Sequence, residues 1–122
     1  MERSTDVLIV GGGPAGLALA SALADAGLRS HVLEQQALPA LQAPTEDGRE
    51  IALTPRARHV MERLGLWQRL PAAEVSPLAE ARVSNGGSPF ALPFDARAQG
   101  HDALGWLVPN HRIREAAYAA AA

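Results

Sequence analysis

The chain has 122 residues, room for one domain with a modest core, and its 48% apolar composition is that of a globular protein. A formal net charge of -2 gives no electrostatic reason to expect nucleic acid or an anionic membrane surface as a partner. With no cysteine, disulfides, thiolate metal sites and Cys nucleophiles are excluded, and the four histidines show no ligand spacing, so no metal site is expected.

Val7-Leu8-Ile9-Val10 is continuously apolar, the pattern of a central parallel strand covered on both faces. Three glycines follow, and Pro14 then suits the first turn of a helix, where its missing N–H removes no intrahelical bond. That helix is predicted to run to about Ala26, largely buried, its alanines lying close against a sheet, with Gly27 as a left-handed terminator. Ser30 to Glu34 reads as a second strand, so the first third of the chain is a βαβ unit. The uncharged run from Val7 to Ala24 has the length of a signal-peptide core or a short membrane span. Glu2 and Asp6 against a single Arg3 are the wrong charge for a signal, and three glycines with Pro14 would break a spanning helix.

Gln35 to Asp47, with Pro39 and Pro44, reads as a loop that ends in an Asp47-Gly48 turn. Ile51-Ala52-Leu53 is a short extended segment. Thr54 and Pro55 then form an N-cap and a first helical position, and Gly65 closes that helix. Pro71 to Pro77 reads as irregular. Ala79–Ser84 and Phe90–Phe94 are strands joined at Asn85-Gly86-Gly87 into a small β-hairpin excursion. Trp106-Leu107-Val108 reads as one more strand, and Asn110 onward as a helix. The chain stops within that helix with no capping residue, the pattern expected of the front part of a longer polypeptide. The fold class is therefore α/β, a βαβ unit with a glycine-rich turn plus the hairpin excursion, the Rossmann-like pattern of the N-terminal part of a nucleotide-binding domain, with residues 1–122 as a single, incomplete domain.

Gly11, Gly13 and Gly16 fall on G-x-G-x-x-G, and Glu34 lies 23 positions after Gly11 at the end of the second strand. A dinucleotide site needs this arrangement. Gly11 permits the tight turn, Gly13 the approach of a pyrophosphate, and Gly16 close helix–strand packing. The N–H groups at the helix start, around Pro14 and Ala15, face the phosphates with about half a positive charge. Glu34 accepts from the ribose hydroxyls and would repel a 2′-phosphate, which argues against NADP here. The glycines alone do not separate FAD from NAD.

The stretch Asp6 to Leu17, with Leu33-Glu34-Gln35, resembles the start of the FAD-dependent aromatic hydroxylases, a family of monooxygenases. Asp47-Gly48-Arg49-Glu50-Ile51-Ala52-Leu53-Thr54, then Leu64-Gly65-Leu66-Trp67 and Leu104 to His111, are similar to its ubiquinone-biosynthesis branch. The resemblance implies FAD as cofactor, with Gly11, Gly13, Pro14, Ala15 and Gly16 at the pyrophosphate and Glu34 at the adenosine ribose. It implies Arg49 against the cofactor, where a guanidinium suits a phosphate or ribityl oxygen. It also sets Asn110 near the cofactor, a position whose plainer reading is a helix N-cap.

Trp67 and Trp106 read as packing residues, and Glu46, Asp47 and Glu50 as a solvated acidic loop face. By the same resemblance, the complete enzyme uses NADH or NADPH as electron donor, with O2 and a polyprenyl phenol as substrates. It works in the cytoplasm, with peripheral contact on the inner membrane face left open by the polyprenyl tail. No catalytic side chain is expected in this segment. A second Asp-Gly motif and a Gly-Asp segment, both later parts of the family pattern, do not appear. The chain alone is therefore expected to bind FAD weakly and to lack hydroxylase activity. Two other readings are another FAD-dependent oxidoreductase of the same superfamily, and a non-catalytic nucleotide-binding module.

Overall fold

The structure, a computed structural model, describes residues 4–122. Glu2 and Arg3, used above in the charge argument, lie outside the described residues. The chain opens with β1 (Val7–Val10), α1 (Pro14–Asp25) and β2 (Ser30–Leu33). β2 runs parallel to β1, with Val7 opposite Ser30 and Val10 opposite Leu33. This is the expected βαβ unit. α1 ends where Gly27 takes a φ of 76°. Its N–H donates to the Ala24 carbonyl and that of Leu28 to the Leu23 carbonyl, each at 2.9 Å, which satisfies two of the helix's last carbonyls.

Two expectations for this unit fail. β1 is not covered on both faces: Ile9 is buried, but Leu8 and Val10 are 57% and 83% exposed. Within this chain β1 has β2 as its ladder partner and α1 returns over the Ile9 face, so its other face has no cover among the described residues. α1 buries only Leu17 and Ser21. Its small side chains meet a second helix more than a sheet. α4 (Asn110–Ala121) lies along α1 and buries Ala116 and Ala117 in the contact.

The segment read as a loop after β2 contains a short helix, α2 (Leu38–Gln42). Pro39 falls in its first turn, where proline is tolerated, so a residue that signals a loop here signals a helix start. β3 (Glu50–Leu53) and α3 (Pro55–Arg63) follow as predicted. The Ala57 N–H donates to Thr54 Oγ1 at 3.1 Å, capping α3. Thr54→Ala is expected to lower stability by about 1 kcal/mol. Denaturant unfolding measures this, and an unchanged midpoint would remove the cap from the account.

After α3 the chain passes through two 3-10 turns to β4 (Ser76–Leu78), then the β5 (Glu80–Ser84) and β6 (Ala91–Asp95) hairpin. The hairpin is as expected, closed by Ser88 N–H donating to the Asn85 carbonyl at 3.1 Å. β4 is a correction, since residues 71–77 read as irregular. Among the described residues it pairs only with β7 (Gly105–Pro109), so there Pro77 sits on an edge strand, where it interrupts no second ladder. β3, β7 and β4 form an antiparallel sheet in that order.

The core lies where this sheet meets the helices. Leu17, Met61, Leu66, Val108, Ile113 and Ala117 come from five separate parts of the chain to form it. Arg112 fastens α4 to the turn before β4, forking onto Glu74 at 2.9–3.2 Å and reaching Glu115 at 3.0 Å. Among the described residues no helix is long and apolar enough to cross a membrane, and no group of three or more His, Asp or Glu could hold a metal ion.

Candidate cofactor site

Strand register explains how the candidate residues meet. In the parallel pair, the bond from Gly11 N–H to the Leu33 carbonyl, at 2.8 Å, carries the ladder one step past β1. The next residues on each side are therefore Gly12 and Glu34. Glu34 Oε2 accepts from the Gly12 N–H at 2.6 Å, and Oε1 accepts from the Gln36 N–H at 2.8 Å. These two backbone donors, Gln36 first and then Gly12, hold the Glu34 carboxyl below its ordinary range. The ion is thus fixed at the mouth of the glycine turn, with lone pairs left for a further donor.

The turn is built from glycines with separate duties. Gly11 has a φ of 107°, which a side chain would strain. A Cβ on Gly16 would collide with the Gly11 carbonyl oxygen, so α1 could not start so close to β1. A Cβ on Gly12 would meet the Glu34 side chain at 3.0–3.2 Å. Sequence reasoning assigned Gly12 no role. A Cβ on Gly13, by contrast, would meet no protein atom within 4 Å. No contact among the described residues requires that glycine, and the space beside it is open at the N-terminus of a twelve-residue helix.

The second half of the site comes from the antiparallel sheet. β3 and β7 pair Glu50 with Pro109, and Asn110 N–H donates to the Arg49 carbonyl at 2.8 Å as the next step outward. Arg49 and Asn110 are thereby neighbours. Between them stands Asp47, whose Oδ2 accepts from Arg49 Nε at 2.8 Å, Arg49 Nη2 at 2.7 Å and Asn110 Nδ2 at 2.8 Å. Asp47 is therefore the hub of a cluster and not part of a solvated acidic face. Asn110 is the first residue of α4, nearly buried, and its side chain ties Asp47 instead of capping the helix. This decides against the N-cap reading.

The Arg49 guanidinium, then the Asn110 amide, pull the Asp47 carboxyl from 3.8 down to about 2. A lowered folded-state value means that the cluster's contribution to stability is complete above the ordinary 3.8 and fades as pH falls toward about 2. Asp47→Asn should make the acid limb of a stability–pH curve shallower in that window. An unchanged limb would show that the cluster does not form in solution.

The two halves face each other across a cleft of about 410 Å³. Gly13, Pro14, Glu34, Arg49 and Asn110 all line it, which brings five of the eight sequence-derived candidates together. Gly11 lines an adjoining cleft with Val10 and Leu33, while Ala15 and Gly16 line neither. Arg114 also lines the first cleft and was missed by sequence reasoning. The available signal was its spacing, one helical turn beyond Asn110 and so on the same face. Its Nη2 donates to Gln36 Oε1 at 3.0 Å and bridges α4 to the end of β2.

A family model described as FAD binding domain matches residues 4–115. Ubiquinone hydroxylase UbiM of Neisseria meningitidis is 48% identical over 122 residues, covering 97% of this chain and 26% of that protein. Ubiquinone hydroxylase UbiL of Rhodospirillum rubrum is 37% identical over 94% of this chain and 26% of its own length. The anhydrotetracycline hydroxylase OxyS of Streptomyces rimosus superposes with a TM-score of 0.69 at 29% identity, over 96% of this chain and 22% of that one. The fold is also that of the p-nitrophenol 4-monooxygenase PnpA of Pseudomonas putida, with a TM-score of 0.70 at 24% identity over 98% of this chain and 30% of that one. The chain spans about a quarter of the length of the curated relatives it matches. With a Rossmann-like βαβ unit, a glycine turn and an acidic residue closing β2, this chain belongs to the FAD binding domain family.

Proposed function

We propose that residues 1–122 are a single unit, the FAD-binding portion of a flavin-dependent monooxygenase that hydroxylates the aromatic ring of a polyprenylated phenol in ubiquinone biosynthesis. The observation that carries this reading is the convergence of Gly13, Pro14, Glu34, Arg49, Asn110 and Arg114 on one cleft. The residues fit FAD. The open space at Gly13 and the unpaired N–H groups of the first turn of α1 suit a pyrophosphate. Glu34 has lone pairs left for ribose hydroxyls, and exposed Val10 and Leu33 offer an apolar bed for a flat base.

Arg49 is anchored to Asp47 through Nε and Nη2, yet its side chain remains 68% exposed. Its remaining N–H groups can therefore donate to a phosphate or ribityl oxygen without a search for orientation. Asp47 and Asn110 act by holding that guanidinium still. Held by these residues, FAD would supply the redox chemistry of a monooxygenase, with NADH or NADPH as electron donor and O2 as co-substrate. This segment binds and orients, and no residue in it is assigned to proton transfer. A polyprenyl substrate requires peripheral contact of the complete enzyme with the inner membrane face, reached from the cytoplasm.

The test is a chimera in which these residues replace the matching segment of the Neisseria meningitidis UbiM. A chimera that retains FAD and adds one oxygen to a polyprenyl phenol with NADH or NADPH supports the reading. A folded chimera that has lost FAD, or one that holds FAD and leaves the phenol untouched, overturns it.

A further inference from the structure

A second cleft, of about 420 Å³, lies away from the cofactor site and shares no residue with it. Trp67 and Trp106 meet there edge to face, with ring centroids 5.9 Å apart and planes at 77°. The Arg58 guanidinium lies over both rings, 4.7 Å from the Trp67 centroid and 4.5 Å from that of Trp106. Leu70, Val75 and Pro77 complete an apolar wall. Pro77 is opposite Trp106 in the β4–β7 ladder, so this wall is set by strand register.

Arg58 is only partly paired. Its Nε donates to Glu62 Oε1 at 2.7 Å, and its side chain is 36% exposed. Among the described residues its two terminal nitrogens have no carboxylate partner. With its carbon 4.7 and 4.5 Å from the centroids of two rings whose planes stand 77° apart, the guanidinium is held from two sides by the indoles. A flat anion is the complementary ligand: a carboxylate takes the paired N–H groups, and a ring fills the space along the indole edges and the apolar wall.

We propose that this cleft is a binding site for a small aromatic carboxylate, independent of the cofactor site. The protein contains two tryptophans, and both line the cleft, so intrinsic tryptophan emission, corrected for absorption and emission by the added ligands, reports on this site. The probe is 2-naphthoate, with the uncharged 2-naphthalenemethanol as its matched control. Saturable quenching by naphthoate, with at least about tenfold weaker binding of the alcohol, is the expected result, since only the carboxylate can accept charge-assisted bonds from the guanidinium.

Arg58→Gln should abolish that preference. Glu62→Gln releases the Nε donor and should leave naphthoate binding as tight or tighter. An unchanged far-UV spectrum and melting temperature would show that these variants fold. Equal binding of acid and alcohol would identify a general apolar surface and overturn the proposal. So would quenching that survives Arg58→Gln in full, or no saturable quenching at millimolar naphthoate. Adding FAD tests independence: competition between FAD and naphthoate would also overturn it.

Discussion

Alanine at Gly16 and alanine at Gly13 are expected to fail in different ways. A Cβ at Gly16 meets the Gly11 carbonyl oxygen, the Gly11 carbonyl carbon at 3.2 Å and Ile9 Cγ2 at 3.3 Å. Two of these are backbone atoms, so relief requires α1 to move away from β1. The expected cost is about 1–3 kcal/mol of stability, with FAD binding lost as the turn opens. At Gly13 the backbone has φ -75° and ψ -179°, ordinary values for any residue, and the new Cβ would touch nothing. Gly13→Ala should leave stability within about 0.5 kcal/mol of the parent. It should still weaken FAD binding about 10- to 100-fold, by pushing a phosphate off one or two charge-assisted bonds. Melting temperature and FAD titration, run on both variants, separate the two outcomes. Loss of stability in Gly13→Ala, or retained FAD affinity, would contradict the role assigned to that position.

Leu66→Ala is expected to give the largest loss of stability, about 2–5 kcal/mol, against a typical total of about 5–15 for a domain. Leu66 is 2% exposed and follows Gly65, whose φ of 74° ends α3. Its N–H donates to the Met61 carbonyl at 2.9 Å, which locks the side chain into the space between Met61, Val108 and Ile113. Those neighbours belong to α3, β7 and α4, so the vacated volume cannot close without moving several elements. Guanidinium unfolding measures the loss, and a change below about 1 kcal/mol would mean that the core is packed differently.

Local signals carried much of this fold. The β1–α1–β2 unit, Gly27 and Gly65 as terminators, the Thr54 cap and the β5–β6 hairpin each depend on a few adjacent residues, and their chemistry is visible in the sequence. Proline misled twice for one reason. Its effect depends on position, and Pro39 in a first helical turn or Pro77 on an edge strand looks in sequence like a break. An apolar run records what a strand can bury, and among the described residues only the Ile9 face of β1 has a helix over it.

The candidate site divides along the same line. Its glycines and Glu34 are joined by the short parallel register and could be read directly. Asp47 could not, and Arg114 only through its spacing from Asn110. Asp47 becomes a hub only because β3 and β7, far apart in sequence, align antiparallel and place Asn110 beside Arg49. Arg114 reaches the cleft only because α4 packs on α1 and turns that face toward the end of β2. The resemblance to the aromatic hydroxylases selected Arg49 and Asn110, and the geometry supplies the carboxylate that holds them together.

The role proposed for the glycine turn, Glu34 and the Asp47–Arg49–Asn110 cluster is a seat for the ADP half of FAD. Calorimetric titration of this chain with FAD, ADP and FMN tests it most directly. The expected result is weak, saturable binding of FAD, competition by ADP for the same site, no comparable binding of FMN, and loss of FAD affinity in a fully folded Gly13→Ala variant. FMN binding as tightly as FAD, or no FAD binding at millimolar concentration, would contradict it.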